Sequence, residues 1–397
     1  MQEAGGAAGG LAFAPERVDN VTSESGAGQT RMCRESSMNQ HVSAHIRREP
    51  FGTLADGTEI QRFRLCGEGG MEVSVLDLGA TVQALHVPDR SGRRADVVLG
   101  HDTPDAYVRE PRFFGVAVGR YANRIAGGRF TLDGADYRVP ANDGDHALHG
   151  GPEGFDRRVW RLAELCEGQA PSLRLTLTSP AGDQGFPGTL EASVTYTLSG
   201  AGELTIAFEA TTDAPTLVNL THHGYFNLGG VEAGGDVLDH LLTIHADDYL
   251  PVDAAAIPLG GPESVDGTPF DFCTPRRIGD RIRQAHEQLR RGRGYDHNYC
   301  LEGGTTARPR LAARVEHPAS GRVMELLTDQ PGLQFYSGNF LDGTALGKNG
   351  RLYRQSDGFC LEPQIWPDAP NRGDYPSARL DPGQTYRHVS VYRFSTD

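Results

Sequence analysis

An all-β fold, a large antiparallel β-sandwich, is the architecture this sequence predicts, and three observations carry the expectation. Apolar residues alternate with polar ones at period two, the pattern of strands with one face buried. The chain holds 51 glycines and 24 prolines in 397 residues. That glycine content is well above the usual ~7 %, and the excess falls between alternating runs as turns. Strand–helix alternation of the kind that builds parallel sheets does not occur in the sequence, nor does the fixed-length repeat of a propeller.

Residues 1 to 45 are rich in Gly, Ala, Ser and charge, with little periodicity. They read as a disordered N-terminal extension ahead of one domain spanning 46–397. Met32 and Met38 stand just before the patterned sequence, so each is a candidate start. From Phe51 onward strand signals dominate. "SLRLTLTS" alternates Leu173, Leu175 and Leu177 with polar residues, "SVTYTL" does so with Val194, Tyr196 and Leu198, and "ELTIAFEA" with Leu204, Ile206 and Phe208. The clusters "DGAD" (133–136), "SPAGDQGFPG" (179–188) and "LSGAGE" (198–203) read as turns. A helix is expected over "PRRIGDRIRQAHEQLRRG", where Ile278, Ile282, Ala285 and Leu289 form an apolar stripe between Pro275 and Gly292. Its arginine-rich face reads as solvated.

Charge and composition exclude several function classes. With 38 Lys+Arg against 52 Asp+Glu the net charge is −14, which argues against nucleic-acid and anionic-membrane binding. No apolar run reaches the ~18 residues of a spanning helix, and the first residues lack the basic start of a secretory signal, so a cytoplasmic protein is expected. Cys33, Cys66, Cys166, Cys273, Cys300 and Cys360 form no CxxC or zinc-like spacing, and read as free thiols.

Chemistry concentrates in five stretches: "GRYANRIAGGRF" (119–130), "NDGDHALHGG" (142–151), "NLTHHGYFNL" (219–228), "YDHNY" (295–299) and "FCLEPQIWPDAPN" (359–371). Adjacent strand residues point to opposite faces, so only one of His222 and His223 can face a given pocket. A histidine can donate or accept a proton near neutral pH. Gly150 and Gly224, beside His149 and His223, let a ligand or backbone come close. Glu362 lies among Phe359, Cys360, Leu361 and Ile365; a carboxylate in such surroundings is either paired or aimed into a site, and partial burial makes it a stronger base. The chain carries no HExxH, GxSxG or GxxxxGK[ST] pattern, so no metal, nucleophilic serine or nucleotide site is expected.

Together with "GFPG" (185–188), "YLPVD" (249–253), "GTPFDF" (267–272) and "LQFYSGNF" (333–340), these stretches resemble the aldose 1-epimerase (galactose mutarotase) family from about Phe51 to Phe394. The resemblance implies a β-supersandwich with an open sugar cleft. It also implies cofactor-free interconversion of the α and β anomers of aldoses such as glucose and galactose. It assigns the general acid to His223 and the general base to Glu362, and sugar contacts to Asn123, Arg124, His149, Asp296 and Gln334. The family often has Asn where this chain has His222. Phe226 and Trp366 are candidate apolar contacts, with a core position the favoured reading for each. The expected partner is a monosaccharide, bound by a monomer or homodimer, with neither nucleic acid nor membrane involved. Two alternatives stand beside this reading. One is a hexose-6-phosphate epimerase, which needs a cationic clamp that Arg124 alone does not supply. The other is a non-catalytic sugar-binding module.

Overall fold

The computed structural model describes residues 44–397 apart from Glu68, Glu110 and Pro111. Residues 1–43 of the expected N-terminal extension, which include its candidate starts, lie outside the described residues. The first strand is His45–Thr53.

Three antiparallel sheets dominate the architecture. A nine-stranded sheet runs in the order Arg161–Cys166, Ser172–Ser179, Leu190–Ser199, Glu203–Thr212, Tyr386–Thr396, Arg322–Thr328, Arg310–His317, Leu241–Ile244 and Arg276–Arg277. A five-stranded meander covers His45 to Asp96, and a six-stranded sheet joins Tyr225–Phe226, Phe359–Gln364, Gly332–Tyr336, Asp296–Cys300, Asp248–Tyr249 and Glu263–Ser264. One apolar cluster draws on all three: Val73 and Leu85 from the meander, Val194, Ile206 and Tyr392 from the large sheet, Leu333, Phe335 and Leu361 from the third. This is sheet-on-sheet packing with interdigitated inner faces. The alternation read from the sequence sets which face turns inward. Val194, Tyr196 and Leu198 are all fully buried, as are Leu173 and Leu175, and each such side chain contributes about 1.5–3 kcal/mol. Leu177, further along the same strand, is only partly buried.

Turn chemistry is local and legible. "DGAD" closes the hairpin between Arg129–Leu132 and Ala135–Arg138, with Asp133 at φ 52° and Gly134 at φ 78°. Two successive positive φ values match the twist of a two-residue hairpin.

The predicted helix is much shorter than its apolar stripe. Only Glu287–Gly292 is α-helical, while Ile278–Asp280 forms a single 3₁₀ turn after the short strand Arg276–Arg277. Tertiary contacts override the periodicity. Arg276–Arg277 is drawn into the edge of the large sheet, and Arg281 donates to the carbonyls of Thr268 and Asp271. His286 then caps the helix by accepting from the backbone N–H of Gln288. Gly292, the expected boundary, is the last helical residue.

The five described cysteines, Cys66, Cys166, Cys273, Cys300 and Cys360, are free thiols. Among the described residues no helix is long and apolar enough to cross a membrane.

Candidate active site

The strand Phe359–Gln364 supplies the central carboxylate. Alternation sends Phe359 and Leu361 into the apolar core and leaves Cys360, Glu362 and Gln364 on the opposite face. Glu362 lies directly opposite Gln334, which in turn lies opposite Asn298 one strand further on. Directly opposed residues point to the same side, so a polar row crosses the sheet. Gln364 Nε2 donates to Asn298 Oδ1 at 3.1 Å, and Gln334 Nε2 donates to Asp296 Oδ1 at 2.7 Å.

The strand Thr221–His223 brings the imidazole. It pairs with Val116–Val118, with His223 opposite Val116. The neighbouring histidines do face opposite ways. His222 packs edge-on against Tyr392 of the large sheet, with ring centroids 5.9 Å apart. His223 turns toward Glu362, with Nε2 3.6 Å from Oε2. Its ring lies between two aromatic planes, Tyr225 at 5.0 Å and Phe113 at 5.8 Å, both nearly parallel to it. That stacking fixes the imidazole plane.

Two polar side chains in the same segment stitch this strand to its neighbours. Thr221 Oγ1 donates to the carbonyl of Pro363 at 2.6 Å, next to Glu362. Asn219 is fully buried; its Nδ2 donates to the carbonyls of Ala122 and Ile365, and its Oδ1 accepts from the N–H of Ile365. The imidazole strand, the carboxylate strand and the Asn123 loop are therefore tied by a handful of short bonds.

A third wall comes from "LHGG" and "YANR". His149 and Asn123 both adopt positive φ, 53° and 63°, a region that favours Asn and glycine. Their backbones pair, the N–H of His149 donating to the carbonyl of Asn123, and the N–H of Asn123 donates to Nδ1 of the His149 ring at 3.2 Å. That bond places the ring proton on Nε2. Gly150, at φ 90°, lies so close to the carbonyl of Gly119 that no side chain would fit. Arg124 reaches the same space and is held by Asp143, Nε to Oδ2 at 2.8 Å.

All seven residues expected from the sequence line one open cavity of about 250 Å³: Asn123, Arg124, His149, His223, Asp296, Gln334 and Glu362. Sequence reasoning missed Arg112, Phe113, Asp143, Leu148, Tyr225, Tyr336, Phe340 and Leu341, which complete the lining. Tyr225 sits inside the quoted histidine stretch, two residues after His223 and so on its face of the chain; Phe113, at φ 59°, carries no sequence signal. Phe226 and Trp366 are not part of the lining. Phe226 is in the core, and Trp366 donates to the carbonyl of Pro331 and packs edge-on against Tyr375.

Burial sets the electrostatics. Glu362 is only 2 % exposed, and burial, helped by the nearby Asp296 charge and opposed by Arg124, pushes its carboxyl well above the usual carboxylate range. Burial likewise brings His223 down to about 3, with His222 adding to the effect. His149 is driven well down by burial, then by His223 and Arg124. Asp296 is raised by burial, an effect that Arg124 and the Gln334 hydrogen bond oppose. Glu362 Oε2 and His223 Nδ1 have no hydrogen-bond partner among the described residues. The unliganded pair thus favours a neutral imidazole beside a protonated carboxyl.

Potential ligand atoms of His149, His223 and Glu362 lie within 4.8 Å of one another. A metal there would need a lone pair on the inward nitrogen of His149. The Asn123 N–H occupies Nδ1, so the inward Nε2 carries a proton and offers a donor instead.

The fold and the cavity define an all-β protein with a buried acid–base pair set in an open polar cleft. The aldose 1-epimerase family model matches residues 61–393. Human galactose mutarotase is 44 % identical over 353 residues, covering 89 % of this chain and 99 % of that protein. The aldose 1-epimerase of Escherichia coli K12 is 39 % identical over 341 residues, covering 85 % and 96 %. Among solved structures, galactose 1-epimerase from Lactobacillus acidophilus NCFM superposes with a TM-score of 0.78 at 30 % identity, covering 89 % of this chain and 99 % of that one. The chain belongs to the aldose 1-epimerase family, and it is an isomerase.

Proposed function

We propose that this chain interconverts the α and β anomers of free aldoses, glucose and galactose among them, with Glu362 and His223 as its acid–base pair. The observation that carries this reading is the 3.6 Å approach of His223 Nε2 to Glu362 Oε2 in a shared cavity. Two oxygens meet at the anomeric carbon, the C1 hydroxyl and the ring oxygen, and one residue would serve each. Glu362 as carboxylate takes the C1 hydroxyl proton. His223 as imidazolium protonates the ring oxygen as the C1–O5 bond breaks, and an open-chain aldehyde results. Rotation about C1–C2 presents the other carbonyl face. The hydroxyl on C5 then adds to C1 and returns its proton to His223, while the new C1 oxygen takes back the proton from Glu362.

Electrostatics supports a shuttle of this kind. Ring opening moves one proton on to Glu362 and one off His223, which leaves the neutral pair. Burial favours that pair in the empty site, so the ring-opened state is not penalised by buried charge. A cyclic sugar offers hydroxyl donors that, with Arg124, stabilise the ionised carboxylate before opening. The proton on His149 Nε2 would be donated to a sugar oxygen. Asn123, Arg124, Asp296 and Gln334 would hold the remaining hydroxyls. A cytoplasmic location and a monomeric or homodimeric state go with this reading.

The test is anomer exchange, followed by polarimetry or magnetisation-transfer NMR on freshly dissolved glucose and galactose. Glu362→Gln and His223→Asn should each lower kcat by ~10²–10⁴. Variants that equilibrate the sugars at the native rate would refute the assignment.

A further inference from the structure

Gln364 and Asn298 lie on the cleft side of the six-stranded sheet, yet neither lines the cavity. Gln364 is fully buried and Asn298 is 2 % exposed. A buried amide costs stability unless its donors and acceptors are met. Here the bonds run in one direction. An ionised carboxylate only accepts, so the Gln334 amide presents its NH2 group to Asp296 Oδ1 at 2.7 Å. Its carbonyl oxygen then points away and accepts from Gln364 Nε2 at 3.4 Å. The same Nε2 donates to Asn298 Oδ1 at 3.1 Å, and the Asn298 NH2 donates to the carbonyl of Tyr299 at 3.2 Å. Gln364 is thus a double donor at the centre of the relay. Turning Gln334 round would set NH2 against NH2 and a carbonyl against a carboxylate. The backbone holds the centre still: Thr221 bonds the carbonyl of Pro363 and Asn219 the N–H of Ile365, on either side of Gln364. Gly332, opposite Gln364, makes room for the Asn298 amide, since a Cβ there would sit 2.6 Å from Asn298 Oδ1.

We propose that Gln364, backed by Asn298, is a positioning residue of the sugar site: it holds the Gln334 amide with its NH2 toward Asp296, and so keeps Asp296 as an acceptor for a sugar hydroxyl. The inference rests on the sugar-binding reading of the cavity. With the amide reversed, Asp296 would face a carbonyl oxygen and would have to carry a proton to bond it. A protonated Asp296 is a weaker acceptor for a hydroxyl. The Gln334 bond already opposes the upward pull of burial on Asp296. The titratable groups around Asp296 are Arg124, Asp143, Glu362, Cys360, Tyr225 and Tyr336. The side chains of Gln364 and Asn298 bond to none of these. Their influence on Asp296 therefore passes through Gln334.

The test is a double-mutant cycle between Gln364→Met, which keeps the length of the side chain and removes its amide, and Gln334→Met. It is read in the full chain as anomer exchange of galactose by magnetisation-transfer NMR. Gln364→Met should raise KM about five-fold with kcat within two-fold, the mark of lost substrate binding. In the Gln334→Met background the same change should move KM by less than two-fold. A native KM in Gln364→Met overturns the inference. So does an equal loss in both backgrounds, which is what general loosening of the sheet would give. A second readout needs no sugar: the carboxyl carbon of Asp296, followed by NMR and assigned with Asp296→Asn. Its titration should move to higher pH in Gln364→Met, and should not move further when Gln364→Met is added to Gln334→Met. A titration that Gln364→Met leaves in place overturns the relay. If Gln364→Met does not fold, Asn298→Ala takes its place: both readouts should move in the same direction, and native behaviour in both overturns the inference. A chain that exchanges no galactose would sink the sugar reading, while the Asp296 titration would still decide the relay.

Discussion

Gln334 Nε2 donates to Asp296 Oδ1 at 2.7 Å across neighbouring strands, so one oxygen of a carboxylate beside Glu362 is held in place. Asp296 also raises the proton affinity of Glu362 through its charge. Asp296→Asn removes that charge and should lower the value at which Glu362 loses its proton. The alkaline limb of the kcat/KM profile should therefore move to lower pH. An alkaline limb that stays in place, or moves up, would show that the two carboxylates do not communicate.

The acid–base pair titrates as a unit. Its single proton is retained between the depressed value of His223, about 3, and the raised value of Glu362. On the proposed mechanism, activity should be lost when a second proton is added or the first is removed. With His223 depressed, the acid limb lies well below the ~6.5 of an ordinary histidine. We expect kcat/KM for glucose to stay flat as pH falls from 7 to 5. A midpoint near the ordinary histidine value contradicts this.

Asn219→Ala strands the N–H and carbonyl of Ile365 and the carbonyl of Ala122, all bonded by that one amide. Each stranded buried group costs about 1–3 kcal/mol. The urea midpoint should drop by an amount equivalent to at least about 2 kcal/mol, with kcat reduced because the strands carrying His223 and Glu362 loosen. A variant as stable as the native chain would show that water replaces the amide.

Gly150→Ala should be more damaging than an ordinary loop substitution. The position combines φ 90° with the backbone carbonyl of Gly119 in the way of any Cβ. A loss of about 2 kcal/mol or more is expected, together with a raised KM, because His149 is the preceding residue. Native stability and KM would mean that the loop simply shifts.

Buried histidines make stability fall in acid. His222, His240 and His297 are each brought by burial to about 3. Below ~6.5 the unfolded chain binds protons that these rings refuse in the fold, so their contribution is present at pH 7 and is lost as pH falls toward 3. Asp77 and Asp156, raised by burial to about 6, act in the opposite sense. So do Glu362, Asp296, Asp357 and Asp368, all raised by burial; the histidines, joined by His223, His149, His317 and His388, still outnumber these carboxylates. The melting temperature should drop from pH 7 to 5.5, and His222→Asn should flatten the stability slope by up to about 1.4 kcal/mol per pH unit, the full value being reached only below ~6.5. An unchanged slope would mean that His222 titrates alike in both states.

Much of the molecule was legible in the sequence because its signals are local. Alternation along Leu190–Ser199 and Glu203–Thr212 dictates both strand and buried face, and the Gly-rich clusters dictate turns. All seven expected site residues share one cavity, since each sits in a short stretch whose polar and glycine content exceeds what folding needs. The helix was over-read because an apolar stripe over 278–289 is satisfied equally by separate turns packed on the sheet edge. Phe113 and Arg112 were not visible for another reason. Their roles come from contacts between segments far apart in sequence, and nothing in the neighbouring residues marks them.

The bond from Thr221 Oγ1 to the Pro363 carbonyl has an evolutionary implication. It sets the spacing of His223 and Glu362 locally, with no help from the cleft's outer rim. The hairpin of Asp342–Leu346 with Leu352–Arg354 follows directly on Phe340 and Leu341 of the cleft lining and takes no part in that tie. Rim segments can therefore drift, lengthen or change sign of charge while turnover chemistry is preserved. A lineage could broaden or narrow its diet of sugars by editing the doorway alone.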